Sequence, residues 1–198
     1  MLELAILGLL FESPIHGYEL RKRLNLLLGW TRLLSYGSLY PALRRLTRAG
    51  LIAEETGPQA EGTWSRRGRR VYRITAEGKE RFAELLGDAG PQTWDDEGFG
   101  VHLAFFSRTP ADARMRILEG RRRTVEERRE GLRTVLARAG EQIDRYTREL
   151  HQLGLDTTER EVRWLNELIQ QERQAIDDTS TTSTADRDTA GNDNSGEQ

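Results

Sequence analysis

The chain of 198 residues contains no cysteine. Disulfides and thiolate zinc sites are therefore excluded, and the composition suits a reducing cytoplasm. Histidine is scarce: His16, His102 and His151 stand far apart in sequence. A metal site needs several converging ligands, so no metal and no other cofactor is expected. No apolar run is long enough to span a membrane. The apolar opening from Leu4 to Phe11 lacks a basic leader, follows Glu3 and runs towards a charged helix, so it does not read as a signal peptide. No glycine-rich phosphate loop follows a strand, and nothing places a nucleophile on a strained turn or beside a base. An enzyme is not expected. Net charge is small as well, at −2, but it is unevenly placed. Residues 1–82 carry 14 Lys and Arg against 8 Asp and Glu, whereas residues 83–198 carry 16 against 24. A basic part followed by an acidic part points to a polyanionic partner for the first alone.

What is present centres on the stretch from Gly37 to Ile52. Ser38 is a suitable N-cap, Pro41 falls in the first turn, and Gly50 tolerates the left-handed cap that ends a helix. Leu39, Leu43 and Leu46 are spaced four and three apart and share one face. Tyr40, Arg44 and Arg48 share another, with Arg45 beside them. A face of arginines and a phenol without a carboxylate suits phosphates and guanine edges.

Two helices precede it. Leu2–Phe11 is apolar nearly all round, which calls for burial on more than one side, with a partner subunit or the acidic half as the second cover. Ser13-Pro14 ends it, and His16-Gly17-Tyr18 opens the next helix. Residues 51–55 and 70–75 read as a strand pair around a polar loop that holds Arg66 and Arg67, with Arg69 at its return. Three short helices and a basic hairpin are the parts of a winged helix-turn-helix.

The motifs His16-Gly17-Tyr18-Glu19-Leu20, Gly37-Ser38-Leu39-Tyr40-Pro41-Ala42-Leu43, Gly50-Leu51-Ile52 and Gly68-Arg69-Arg70-Val71-Tyr72-Arg73-Ile74-Thr75, in this order, resemble the PadR family of transcriptional regulators. The resemblance covers residues 2–82. It implies a homodimeric, mostly repressing protein that binds double-stranded DNA, with a helical C-terminal dimerisation domain and an effector sensed near the dimer interface. The DNA-contact residues expected are Tyr18, Ser38, Tyr40, Arg44, Arg45, Arg48, Arg66, Arg67 and Arg69.

The expected fold is mostly α: a winged helix-turn-helix of three helices and a two-stranded wing, then a long-helix, coiled-coil dimerisation domain. The expected domains are 1–86 for DNA binding, 87–92 as linker, 93–176 as helical dimerisation and effector domain, and 177–198 as a disordered tail, since the tail holds almost nothing apolar. A fourth helix should start after Thr75, a short one should run from Asp95 to Phe106, and Thr109-Pro110 should open a helix reaching about Leu153. Leu132, Leu136, Ile143 and Leu150 fall on one heptad seam of that helix, and Gly154 reads as its stop before a last helix carrying Leu165; these five are the expected dimer residues. Arg121-Arg122-Arg123 reads as a solvated helix face. Trp94, Phe99, Phe106 and Trp164 are helix core, interface, or the walls of a pocket for an aromatic or hydrophobic effector. The competing function is a small-molecule or protein-binding helical module in which DNA binding is secondary. Salt-dependent binding to a specific operator separates the two.

Overall fold

The structure is a computed structural model that describes residues 1–28, 36–56, 70–139 and 143–189. Helix α1 (Leu2–Glu12) is apolar on every side, and Leu4 through Leu10 are all buried. Its cover comes from within its own unit. Helices α2 (Gly17–Leu28) and α4 (Ala76–Gly87) pack on it, as does strand β3 (Arg70–Ile74). Phe105 closes the remaining side. Its ring sits so near Gly8 that an added Cβ would lie 2.3 Å from Cζ. Of the two covers expected for α1, a second subunit or the acidic half, the chain supplies the second: Phe105 and Val101, both beyond residue 82, share the core that buries seven consecutive residues of α1.

Ser13 adopts an extended conformation and ends α1, ahead of the short strand β1 (Ile15–His16). Helix α3 spans Tyr36–Arg48 and strand β2 spans Ile52–Thr56. The sheet order is β1-β3-β2, antiparallel throughout, so β1 adds a third strand to the expected hairpin. Helix α3 begins at Tyr36, ahead of the expected cap. Ser38 therefore lies within the first turn, and Pro41 is inside the helix, where it removes the N–H that would reach the Gly37 carbonyl.

The far end of α3 is as the sequence predicts. Gly50 has φ +72°, Gly50 N donates to the Thr47 carbonyl (3.1 Å) and Leu51 N to the Leu46 carbonyl (3.0 Å), the paired bonds of a Schellman cap. Thr75 then joins this end to α4. Its hydroxyl donates to the Gly50 carbonyl (2.7 Å) and accepts from Gly78 N (3.0 Å), and its own N–H donates to the Leu51 carbonyl (3.1 Å).

The described chain divides into two compact units, Met1–Arg114 and Met115–Gln198. Residues 87–92 lie inside the first. So does α5 (Asp96–Ala104), which Asp95 caps by accepting from Gly98 N. Helix α6 spans Ala111–Ala139. Just ahead of it, the Thr109 hydroxyl donates to the Phe105 carbonyl (3.0 Å).

His102 in α5 is buried, and its Nδ1 has no hydrogen-bond partner among the described residues. Burial lowers its pKa, partly opposed by Asp88. The unfolded histidine takes up a proton near its ordinary value of about 6.5 and the folded one only at lower pH. Stability of the first unit is therefore full above that value and falls as pH drops towards the folded value. His102→Leu should show a smaller drop in melting temperature than wild type between pH 7.5 and 5.5. An identical drop would assign the acid sensitivity to other groups.

In the second unit, α7 (Arg145–Thr189) returns antiparallel to α6. Arg121 bonds Glu161 (2.7 Å from Nε), Arg122 reaches Asn166, and Arg173 meets Glu119. This replaces the expected single helix to Leu153. A new helix starts at Arg145 because Asp144 caps it, accepting from Tyr146 N (2.8 Å) and Thr147 N (3.1 Å). Those bonds, with the Thr147 hydroxyl first among them, hold the Asp144 carboxyl below its ordinary pKa. Gly154 is no helix stop. It sits inside α7, where a Cβ would lie 3.3 Å from a Leu132 methyl, so its missing side chain makes room for Leu132. Helix α7 also continues to Thr189, past the expected start of a disordered tail at 177. Arg121 corrects the solvated-face reading, since it is 5% exposed and paired across the hairpin.

Candidate nucleic-acid interface

The two faces of α3 separate as their spacing predicts. Leu39, Ala42, Leu43 and Leu46 are buried in the core of the first unit, while Arg44, Arg45 and Arg48 are exposed and Tyr40 is half-buried. Ser38 and Tyr18 are exposed as well, Tyr18 in the first turn of α2. Arg66, Arg67 and Arg69 lie outside the described residues.

Strand register explains what stands beside α3. Glu54 pairs with Tyr72, Ile52 with Ile74 and Thr56 with Arg70. Successive strand residues alternate in face, so 52, 54, 70, 72 and 74 share one side of the hairpin. Ile52 and Tyr72 anchor that side in the core. Towards the expected wing the same side turns polar, with Glu54 and Arg70 paired at 2.5 Å. The opposite side carries a similar pair, Glu55 with Arg73 at 2.6 Å.

Helix α3 and the hairpin leave a cleft of about 640 Å3 between them. Tyr40, Arg44, Thr47 and Arg48 line it from α3, and Glu54, Arg70 and Tyr72 from the strands. Burial pushes the Tyr72 hydroxyl above its ordinary pKa and Glu54 adds to this, while Arg70 and Arg44 pull the other way. Three guanidiniums against one carboxylate make the cleft a site for an anion. Sequence reading found Tyr40, Arg44 and Arg48 but missed Thr47, Glu54, Arg70 and Tyr72 as members of the same site. The alternation of residues 70, 72 and 74, with Tyr72 and Ile74 apolar, was the available signal.

The other expected site residues fall in both units. Trp94, Phe99 and Phe106 belong to the first unit, with Phe99 and Phe106 buried, whereas Trp164 is partly exposed on α7 of the second. Leu132 and Leu136 are half-buried on α6, and Ile143 is half-buried just before the Asp144 cap. Leu165 is fully buried, while Leu150 is 67% exposed.

Residues 6–84 match the family model described as the transcriptional regulator PadR-like family. Residues 6–84 are a PadR-like domain. The PadR-like domain runs from α1 into α4, so it contains α3, the described strands and the whole lining of the cleft. Among solved structures, Bacillus subtilis PadR in complex with operator DNA is 22% identical, covering 86% of this chain and 98% of that one, with a TM-score of 0.41. A putative transcriptional regulator from Thermoplasma acidophilum is 30% identical over 42% of this chain and 72% of that one, with a TM-score of 0.34. A transcriptional regulator from Clostridium thermocellum is 29% identical, with coverages of 42% and 74% and a TM-score of 0.35. No curated protein matches the chain. The domain assignment rests on the sequence match over residues 6–84, and the interface on the geometry of α3 and the hairpin.

Proposed function

We propose that the chain is a transcriptional repressor that binds a pseudo-palindromic operator in double-stranded DNA as a homodimer, in the cytoplasm and without enzymatic activity. One observation carries this reading: within the PadR-like domain, α3 buries its leucines and presents Arg44, Arg45 and Arg48 outward. In this reading α3 enters the major groove. Tyr40 and the three arginines include the base readers, Ser38 and Tyr18 lie on phosphates, and Arg66, Arg67 and Arg69 hold the neighbouring backbone.

The working division is residues 1–86 for DNA and 93–176 for dimerisation, joined by 87–92. Support for a second copy comes from α7, where Tyr146 (80% exposed), Leu150 and Leu153 (61%) are spaced four and three apart on one open face. Leu165 belongs to the unit's own core, so the dimer face is carried by Leu150 and its neighbours rather than by one seam. For an aromatic or hydrophobic effector, Trp94 and Trp164 keep accessible surface, in separate units. The same open face on α7 favours the second reading, a helical binding module, should the chain prove indifferent to DNA.

Genomic fragments selected by binding should give footprints with half-sites about 10 base pairs apart, or a multiple of that. Arg44→Ala should weaken operator binding by about 1–3 kcal/mol and relax preference at one position in each half-site. Unchanged operator affinity would show that α3 is not oriented as proposed.

A further inference from the structure

The cleft contains one feature that a DNA-binding surface would not be expected to have: a carboxylate. Glu54 sits on the side of the hairpin that faces α3, next to Tyr72 in register and paired with Arg70 at 2.5 Å. A carboxylate beside an incoming polyanion repels it, and an exposed ion pair contributes little to folding. Stability therefore gives weak reason for Glu54 to stand there. Its neighbours give a better one. Arg44 and Arg48 on one wall and Arg70 on the other surround a space wide enough for a phosphate group. With α3 in the major groove and the hairpin tip on the adjoining backbone, the strand between them passes over this cleft.

We propose that the cleft seats a backbone phosphate diester of the DNA and that Glu54 competes with that phosphate for Arg70. This rests on the DNA-binding reading above. In the free protein Arg70 is neutralised by Glu54. On binding, Arg70 exchanges the carboxylate for a phosphate oxygen, and Glu54 is left in a field of like charge. The exchange lowers affinity for every sequence by the same factor, since phosphates carry no sequence information. Glu54 thereby holds down sequence-independent binding and leaves discrimination to Arg44 and its neighbours. The fold supplies its own control. Glu55 and Arg73 form a similar pair one residue along, on the opposite side of the same two strands. Removing Glu55 changes net charge equally but frees no arginine in the cleft.

The test uses the full chain and a fluorescein-labelled 30-base-pair duplex of random sequence, at several salt concentrations, with thermal unfolding of each variant to confirm folding. Glu54→Gln should tighten binding roughly threefold to fivefold, the scale of one exposed ion pair lost. The plot of log affinity against log salt should keep the same slope, because Arg70 contacts the phosphate in both proteins. Arg70→Gln should weaken binding and flatten that plot. Glu54→Gln added to Arg70→Gln should then tighten binding less than Glu54→Gln does alone, and Glu55→Gln should shift affinity less than twofold. Equal tightening by Glu54→Gln and Glu55→Gln would overturn the proposal in favour of bulk charge. Tightening that is undiminished without Arg70 would overturn it as well. If wild type binds the duplex and Glu54→Gln does nothing, the exchange is wrong and the DNA reading stands. If folded wild type does not bind duplex at low salt, both fall together.

Discussion

Gly78→Ala is expected to cost the first unit about 3 kcal/mol, the upper part of the range for overpacking. Gly78 is in the first turn of α4, and a Cβ there would stand 2.0 Å from the carbonyl oxygen of Leu51. The obstacle is backbone, so no side-chain rotation relieves it. That carbonyl also accepts from Thr75 N, and the Thr75 hydroxyl holds the Gly50 carbonyl. These bonds fasten the C-terminal end of α3 to α4. Pushing Leu51 away loosens the Schellman cap and the helix that carries Arg44, Arg45 and Arg48. Two readouts should move together: the melting temperature should fall by roughly 10 °C or more, and duplex affinity should weaken although no DNA-facing side chain has changed. Gly87→Ala is the matched control, at the other end of the same helix, with nothing within 4 Å of the added Cβ. Equal melting temperatures for the two variants would show that α4 can shift freely against Leu51.

The features that were legible in the sequence are those that local chemistry decides. Leu39, Leu43 and Leu46 specify the buried side of α3 through spacing alone, and Gly50 specifies its end because few other residues adopt φ +72°. Thr75 was readable as a cap, and Asp95, read as the start of the next short helix, proves to cap it by accepting from Gly98 N. What was missed depends on partners distant in the chain. Glu54 and Arg70 belong to one cleft only through strand register, and 70 cannot be placed opposite 56 until the hairpin closes. The heptad spacing from Leu132 to Leu153 was real, but a spacing does not say whether the helix continues. Asp144 with Thr147 three residues on is a start signal as good as those that were read, and it cuts the seam. Gly154 shows the reverse error. A glycine after an apolar run resembles a stop, yet here its missing Cβ admits Leu132 from the opposing helix.

The same hairpin of α6 and α7 yields the other large effect. Glu161→Leu should destabilise the second unit by about 3 kcal/mol, the low end for breaking a buried ion pair by removing one partner. Arg121 is 5% exposed, and its Nε and Nη2 both reach the same Glu161 oxygen, at 2.7 and 2.6 Å. An arginine cannot shed its charge, so removing Glu161 takes away a charged partner that offsets the cost of burying the guanidinium. Arg133 and Glu159 join the same two helices at the same 2.6 Å, but their side chains are 45% and 33% exposed. Water solvates either charge once the other is gone, and Glu159→Leu should cost less than about 1 kcal/mol. Distance is thus held constant while burial varies. Urea unfolding followed by circular dichroism reads both variants. The double change Arg121→Met with Glu161→Leu should recover most of the loss, because an apolar pair of similar volume replaces the ion pair without stranding a charge. If Glu161→Leu and Glu159→Leu cost the same, burial of Arg121 does not govern this contact. If the double change is as unstable as Glu161→Leu alone, the loss lies in packing around Glu161 rather than in an uncompensated guanidinium.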